Sequence, residues 1–349
     1  MRAGHLHRRR RVSVPEPPFD HLLRLSDDTG VLEHARGAVP RRQYGYCTDD
    51  AARALVVICR QPSPPAGLAD LGERCLAFLV HAQAGDGTSH NRLGYDRRWE
   101  DRSGLGDWWG RSLWGSGTAA ARGRSARLRA DALAHFEAGA ACRSTSPRAM
   151  AFAALGAAEV LSVRSDHAGA QDLLKAAGAA LSGARPDESW PWPEPRLAYA
   201  NARWAEGLLA AGWGLDDDRL VDEGLRLLEW LLDVETTGDH LSLTPVGGWG
   251  PGEPRPGFDQ QPIEAAALAD ACARAYLLNG GERFVAGVNR AVAWFLGAND
   301  TQIPMYDGQT GGGYDGLERD GRNDNQGAES TIALISTLQQ GIRLIGHQP

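Results

Sequence analysis

Small apolar residues recur at helical spacing in six stretches of this chain, and charged amphipathic stretches fall between them. The first set reads 49–60 (DDAARALVVICR), 109–120 (WGRSLWGSGTAA), 146–161 (SPRAMAFAALGAAEVL), 199–212 (YANARWAEGLLAAG), 261–278 (QPIEAAALADACARAYLL) and 325–338 (NQGAESTIALISTL). Ala, Leu and Arg dominate and β-branched alternation is nearly absent, so the pattern predicts helices. Small residues all round mean close packing on every side, and this set is expected to be buried. The second set, at about 68–83, 127–140, 168–183, 217–234 and 283–297, turns one charged face to water. A short segment at 19–25 supplies its sixth member.

Six buried helices alternating with six half-exposed ones predict an all-α fold, an (α/α)6 toroid of six helical hairpins, as a single domain over 19–345. Stacked hairpins also build open solenoids. The irregular repeat interval and the long loops before the buried helices favour closure. In a closed ring the inner helices run parallel, so their N-terminal ends converge and the ligand pocket is expected there.

Charge and composition narrow the function. With 37 Lys and Arg against 44 Asp and Glu the formal charge is −7, which argues against a nucleic-acid partner. No apolar run is long enough for a membrane span. Five scattered cysteines without paired spacing fit neither a disulfide framework nor a zinc cluster, and a reduced cytoplasmic protein is expected. Residues 1–18 (MRAGHLHRRRRVSVPEPP) are basic, then proline-rich, with no apolar stretch for a secretory signal; they read as a disordered leader. The final GHQP reads as a frayed end.

Polar residues gather at the starts of the buried helices: GYCTDDAAR at 45–53, GDWWGRSLW at 106–114, STSPRAM at 144–150, DESWPWPEPRLAYANARW at 187–204, GFDQQPIEAA at 257–266 and GRNDNQGAES at 321–330. Thr48 or Asp49, Ser146 and Asn325 suit helix caps. Capping accounts for one residue per helix, and a surplus remains: Asp50, Arg53, Arg111, Arg148, Asn201, Arg203, Glu264 and Glu329. Charge inside a buried helix costs several kcal/mol unless it is paired or reaches a wet cavity. The surplus therefore forms either internal salt bridges or the lining of one pocket.

Tryptophan supplies 11 aromatic residues, against 7 Tyr and 7 Phe. Trp108, Trp109 and Trp114 flank Arg111; Trp190 and Trp192 precede Asn201; Tyr44, Tyr46, Trp249, Phe258 and Tyr306 lie in other loops. Flat rings beside carboxylates, amides and guanidinium groups suit a sugar, whose C–H face stacks while its hydroxyls take polar partners. Asp259, Gln260, Gln261 and Asn325 join the candidate substrate contacts.

The loops GYCTDDAARAL, GRSLW, SWPW, LAYANAR, FDQQPIEAAA and NQGAEST resemble those of the six-hairpin glycosidase superfamily over roughly 19–340. More narrowly the chain resembles a bacterial group described as glycosyltransferases or glycosyltransferase-associated proteins, sometimes attached behind a separate transferase domain. The resemblance implies glycoside hydrolase, unsaturated glucuronyl hydrolase, phosphorylase or epimerase activity, and association with a glycosyltransferase. The epimerase branch implies paired histidines on inner helices, and none of His21, His34, His81, His90, His135, His167 and His240 falls in the buried set.

There is no nucleophile elbow, phosphate loop or dinucleotide fingerprint, so no cofactor is expected. Asp315, Asp320, Asn323 and Asp324 do not follow the spacing of a calcium loop, and no metal is expected. Carboxylate chemistry survives. Asp49, Asp50, Glu264 and Glu329 are the catalytic candidates, with Asp101, Asp107 and Asp259 in reserve. Glu264 is the expected acid and Asp50 the base, or Asp49 if it is not capping; inversion would set the pair roughly 6.5–9.5 Å apart. Arg111, Arg203 and Asn201 are expected on hydroxyls or on a uronate or phosphate. The expected function is hydrolysis of an oligosaccharide. A transferase or phosphorylase would cluster Arg111, Arg148 and Arg203. A glycan-binding partner of a transferase would lack a catalytic pair. A scaffold would pair off Asp50, Glu264 and Glu329.

Overall fold

The computed structural model describes residues 13–183 and 189–345. The helices are α1 (Asp20–Arg24), α2 (Thr48–Arg60), α3 (Leu68–Ala82), α4 (Asp107–Arg122), α5 (Ala126–Ala140), α6 (Pro147–Val163), α7 (Ala168–Leu181), α8 (Ala202–Leu215), α9 (Asp218–Val234), α10 (Pro262–Asn279), α11 (Glu282–Phe295) and α12 (Ala328–Ile345). The even-numbered helices pack in sequence, α2 on α4, α4 on α6, and so on to α12, which returns to α2 and closes the ring. The odd-numbered helices pack outside them, α1 against α12. This is the (α/α)6 toroid. Short two-stranded ribbons, such as Tyr46–Cys47 with Arg92–Leu93 and Gly316–Glu318 with Gly321–Asn323, brace the loops.

Small residues set the inner spacing. A methyl group on Gly117 of α4 would overlap the Gly156 backbone of α6, and one on Gly156 would overlap the Leu113 carbonyl. The two helices therefore approach through bare backbone.

Two inner helices start later than their sequence pattern suggests. α8 begins at Ala202 because Ala200 takes a left-handed conformation (φ 48°) and the Asn201 Oδ1 accepts the Ala198 N–H. α12 begins at Ala328 because the Gln326 N–H donates to the Gly37 carbonyl and the Gly327 N–H to Asp315. Ser146 caps α6 as expected, whereas the Asn325 side chain accepts the Gly37 N–H instead of capping α12. Pro17 is buried and Val14 packs on the core, so residues 13–18 of the expected leader lie against the domain. Residues 1–12, with the arginine run, and the expected frayed end at 346–349 lie outside the described residues. No helix among the described residues is long and apolar enough to cross a membrane.

Replacing Gly156 by Ala should lower stability by about 1–3 kcal/mol through overpacking. Denaturant titration measures this, and an unchanged midpoint would contradict the backbone-to-backbone contact of α4 and α6.

Candidate active site

Four inner helices bring charged first-turn residues together at the N-terminal mouth. Arg53 of α2 donates to Asp50 at 2.6 Å and crosses to Glu329 of α12 at 2.7 Å. Arg111 of α4 donates to Asp49 at 2.8 Å, and Asn91 reaches the other Asp49 oxygen at 3.2 Å. Arg148 of α6 bonds Glu194 and the Tyr199 carbonyl. Arg111 and Arg148 lie against one ring, their guanidinium carbons 5.8 and 5.2 Å from the Tyr199 centroid. The Phe152 ring also lies against Arg111, its centroid 4.5 Å from the guanidinium carbon.

Two features of this cluster point to chemistry. The first is Arg111, only 4% exposed, whose Nε and Nη2 have no hydrogen-bond partner. Buried guanidinium donors left open suit an acceptor brought by a ligand. The second is a split between two carboxyls. Burial works to raise the pKa of Asp49, but Arg111 and Arg53 outweigh it and hold Asp49 below the ordinary range. Asp107, half-buried one turn before Arg111, is pushed up by burial, with Arg111 opposing and the Asp49 charge adding. Its carboxyl has no hydrogen-bond partner among the described residues. Asp49, Glu329, Arg148 and Glu194 all keep partial exposure.

Several expected site residues are elsewhere. Asp50 and Glu264 are 1% and 2% exposed and cannot meet a substrate. Glu264 accepts the N–H groups of Ala200 and Asn201 and the Asn201 amide, so it pins the start of α8. Asn201 is consumed in the same contact. Arg203 lies deeper on the ring axis, donating to Glu206 and to Asp270. Its guanidinium carbon is 4.6 Å from the Trp114 centroid, away from Arg111 and Arg148. The cluster of three arginines that a transferase or phosphorylase would form is thus a pair, Arg111 and Arg148. Glu329, like Asp50, is ion-paired to Arg53, as the scaffold reading expects for both, whereas Glu264 is held by N–H donors and not by a salt bridge.

The aromatic wall is also largely core. Trp109 is fully buried. Trp190 and Trp192 pack on Trp230, and Trp190 also on Trp249. Both indole N–H groups point to Glu194, Trp190 to its carbonyl at 2.8 Å, so the stiff WPWP segment positions that carboxylate. Tyr46 is buried and donates to Asp27 at 2.6 Å. Gln260 is buried, bonding Asp300, the Gly257 carbonyl and Trp294. Trp108 is half-buried, donating to the Ser89 carbonyl at 2.6 Å. Tyr44 and Asp259 are exposed, and Gln261 and Tyr306 are half-buried in their loops. Of the reserve carboxylates, Asp101 accepts the Asn91 and Arg92 N–H groups and braces that ribbon. Glu194 and Tyr199 were missed; their position after the WPWP segment was the available signal.

Glu33, Cys47 and Asp50 bring donor atoms within 4.8 Å of one another. The Cys47 thiol donates to one Asp50 oxygen at 3.1 Å and Arg53 holds the other, so a guanidinium already supplies the positive charge of this group.

A cavity of about 510 Å³ lies at the end of the ring opposite the mouth, beside the C-terminal turns of α2, α4, α10 and α12.

No protein-family model matches the chain, and no curated protein does. Solved structures do. A sugar epimerase from a ruminal bacterium aligns with TM-score 0.69 at 12% identity, over 93% of this chain and 95% of the other. The cellobiose 2-epimerase of Spirochaeta thermophila aligns with TM-score 0.66 at 11% identity, over 94% of each chain. The GH76 α-mannanase BT2949 of Bacteroides thetaiotaomicron gives 0.60 at 9% identity, over 86% and 88%. At these identities the likeness is one of fold, the (α/α)6 toroid.

Burial and the Glu235 charge push the Glu264 pKa up to about 8, against the N–H donors of Ala200 and Asn201. Between the ordinary 4.5 and about 8 the folded chain retains a proton that the unfolded chain has released. The contribution of Glu264 to stability is therefore complete below 4.5 and declines as pH rises towards 8. Glu264→Gln should flatten this part of the stability–pH curve, read from denaturation midpoints at pH 5 and pH 8; an unchanged slope would exclude Glu264 as its source.

Proposed function

We propose that the chain is a carbohydrate-active enzyme, a glycoside hydrolase that cleaves an oligosaccharide at the N-terminal mouth. One observation carries the reading: Asp49 and Asp107, on adjacent inner helices around Arg111, have pKa values pushed in opposite directions. A carboxyl with a lowered pKa near one with a raised pKa is the division of labour that glycoside cleavage requires. Asp107 gives its proton to the departing glycosidic oxygen. Asp49 takes a proton from a water that attacks the anomeric carbon on the opposite face. The leaving group departs as a hydroxyl, the water oxygen stays on the sugar, and the configuration inverts.

The open donors of Arg111, with Arg148 on the same tyrosine face, orient the substrate and favour an acidic substituent on it. The same pair favours a second reading, phosphorolysis, in which inorganic phosphate replaces the attacking water. Sugar-processing activities named for the solved structures of this fold support a sugar as substrate. Epimerisation, named for two of them, finds no histidine on any of the six inner helices. Five free cysteines support a reducing, cytoplasmic setting. Association with a glycosyltransferase rests on the sequence resemblance alone.

A panel of neutral and acidic oligosaccharides, incubated with and without phosphate, tests the proposal by product release. Asp107→Asn should lower kcat at least about a hundredfold, the lower range for losing a general acid. Arg111→Lys should raise KM more than it lowers kcat. Wild-type turnover by the Asp107 variant would overturn the assignment, and sugar 1-phosphate as product would select the second reading.

A further inference from the structure

The cavity of about 510 Å³ at the far end of the ring falls in the size range of small-molecule sites, roughly 300–1,000 Å³. Arg343, on its rim, lies fourteen residues beyond Glu329 on α12, or about 21 Å along the axis at the helical rise, so this recess is remote from the mouth.

Its charges are unevenly paired. Asp270 is shared by Arg60 at 2.8 Å and Arg203 at 2.7 Å. Glu206 is shared by Arg203 and Arg274, and Glu159 takes Arg122 at 2.8 Å. Arg343 makes no hydrogen bond or ion pair among the described residues. Partial burial and the like charges of Arg122, Arg60 and Arg274 press its pKa down. Arg60, Arg122, Arg274 and Arg343 line the cavity with Glu16, Glu159, Glu206 and Asp270, so charge balances over the recess as a whole. Around the unpaired Arg343 the neighbouring charges are mainly cationic, and a concave surface focuses that local potential.

Basic residues in the last turns of α2, α4 and α12 also complement helix C-termini, which would explain their presence without any ligand. That explanation does not reach two glutamine amides, one buried and one half-buried. Gln340 is 4% exposed; its Nε2 donates to Asp270 at 2.6 Å, while its Oε1 has no partner. Gln339 repeats the pattern, with Nε2 on the Val57 carbonyl at 2.8 Å and Oε1 unpaired. Both residues line the cavity. Unpaired acceptors in the same recess as the unpaired Arg343 guanidinium match a molecule carrying hydroxyls and a negative charge.

We propose that this recess is a second ligand site that binds a polyhydroxylated anion, a sugar phosphate or a sugar acid. The anionic group lies against Arg343 and Arg274, and ligand hydroxyls donate to Gln339 and Gln340. The site is independent of the activity assigned to the mouth, and its test reads binding without turnover.

Isothermal titration of the full chain with glucose 6-phosphate, glucuronate, inorganic phosphate and glucose provides the test. At least one of the two sugar anions should bind at one per chain, at least about tenfold more tightly than phosphate or glucose, because each of those lacks half of the recognition. Which anion binds distinguishes the two sources of charge. Arg343→Ala, at an exposed position that leaves the buried network intact, should weaken binding about tenfold, the loss of one charge-assisted contact. Arg111→Lys, at the mouth, should leave it unchanged. The proposal is overturned if neither sugar anion binds, if Arg343→Ala binds as wild type does, or if the Arg111 variant alone loses binding.

Discussion

Arg53 grips Asp50 on its own helix and Glu329 on the last inner helix, joining residues 276 positions apart in the chain. A toroid exists only if its first and last hairpins meet, and here a buried guanidinium lies at that seam. With both carboxylates in contact the charges compensate one another; removing one partner would leave a buried charge exposed to low dielectric, which is strongly destabilising. The same arrangement recurs deeper on the axis, where Asp270 of α10 is held by Arg60 of α2 and Arg203 of α8. Trp114 lies against both guanidinium groups, 5.5 and 4.6 Å from them.

These ladders follow from the small residues of the inner ring. Backbones that approach as closely as those of Gly117 and Gly156 leave little room on the axis for large apolar side chains. The space is taken by long polar side chains that reach across to other helices, and each must find a partner there. The ring is therefore polar along its centre and apolar between its two helical layers, the reverse of a simple oil-drop core.

The two ends of the axis differ as a consequence. At the N-terminal mouth, loops from four hairpins fold over the ring, and the Trp190–Trp192 cluster holds Glu194 against Arg148. Most charges there are satisfied, which makes the open donors of Arg111 and the unpaired Asp107 carboxyl stand out. At the C-terminal end the connections are short, the axis stays open, and one guanidinium, that of Arg343, is left without a partner among the described residues. A single fold thus presents two chemically distinct surfaces about one helix length apart.

The number of hairpins, their alternation between buried and half-exposed, and the collection of charge at inner-helix starts all follow from local composition and periodicity. A helix with alanine on every side has no alternative to burial, and a short-range pattern suffices to say so. Which charged residue meets solvent was not legible in this way. Asp49 and Asp50 are neighbours in sequence, yet one faces Arg111 at the mouth and the other is sealed beneath Arg53. Glu264, at the start of α10, is spent on the backbone of α8, sixty-four residues away from Ala200. The tryptophans look alike in sequence whether they wall a pocket or fill a core, because an indole suits both. Those outcomes depend on partners brought together only by ring closure, so the chain itself determined the toroid and its stock of charges, and the tertiary structure alone decided which of them remain open to chemistry.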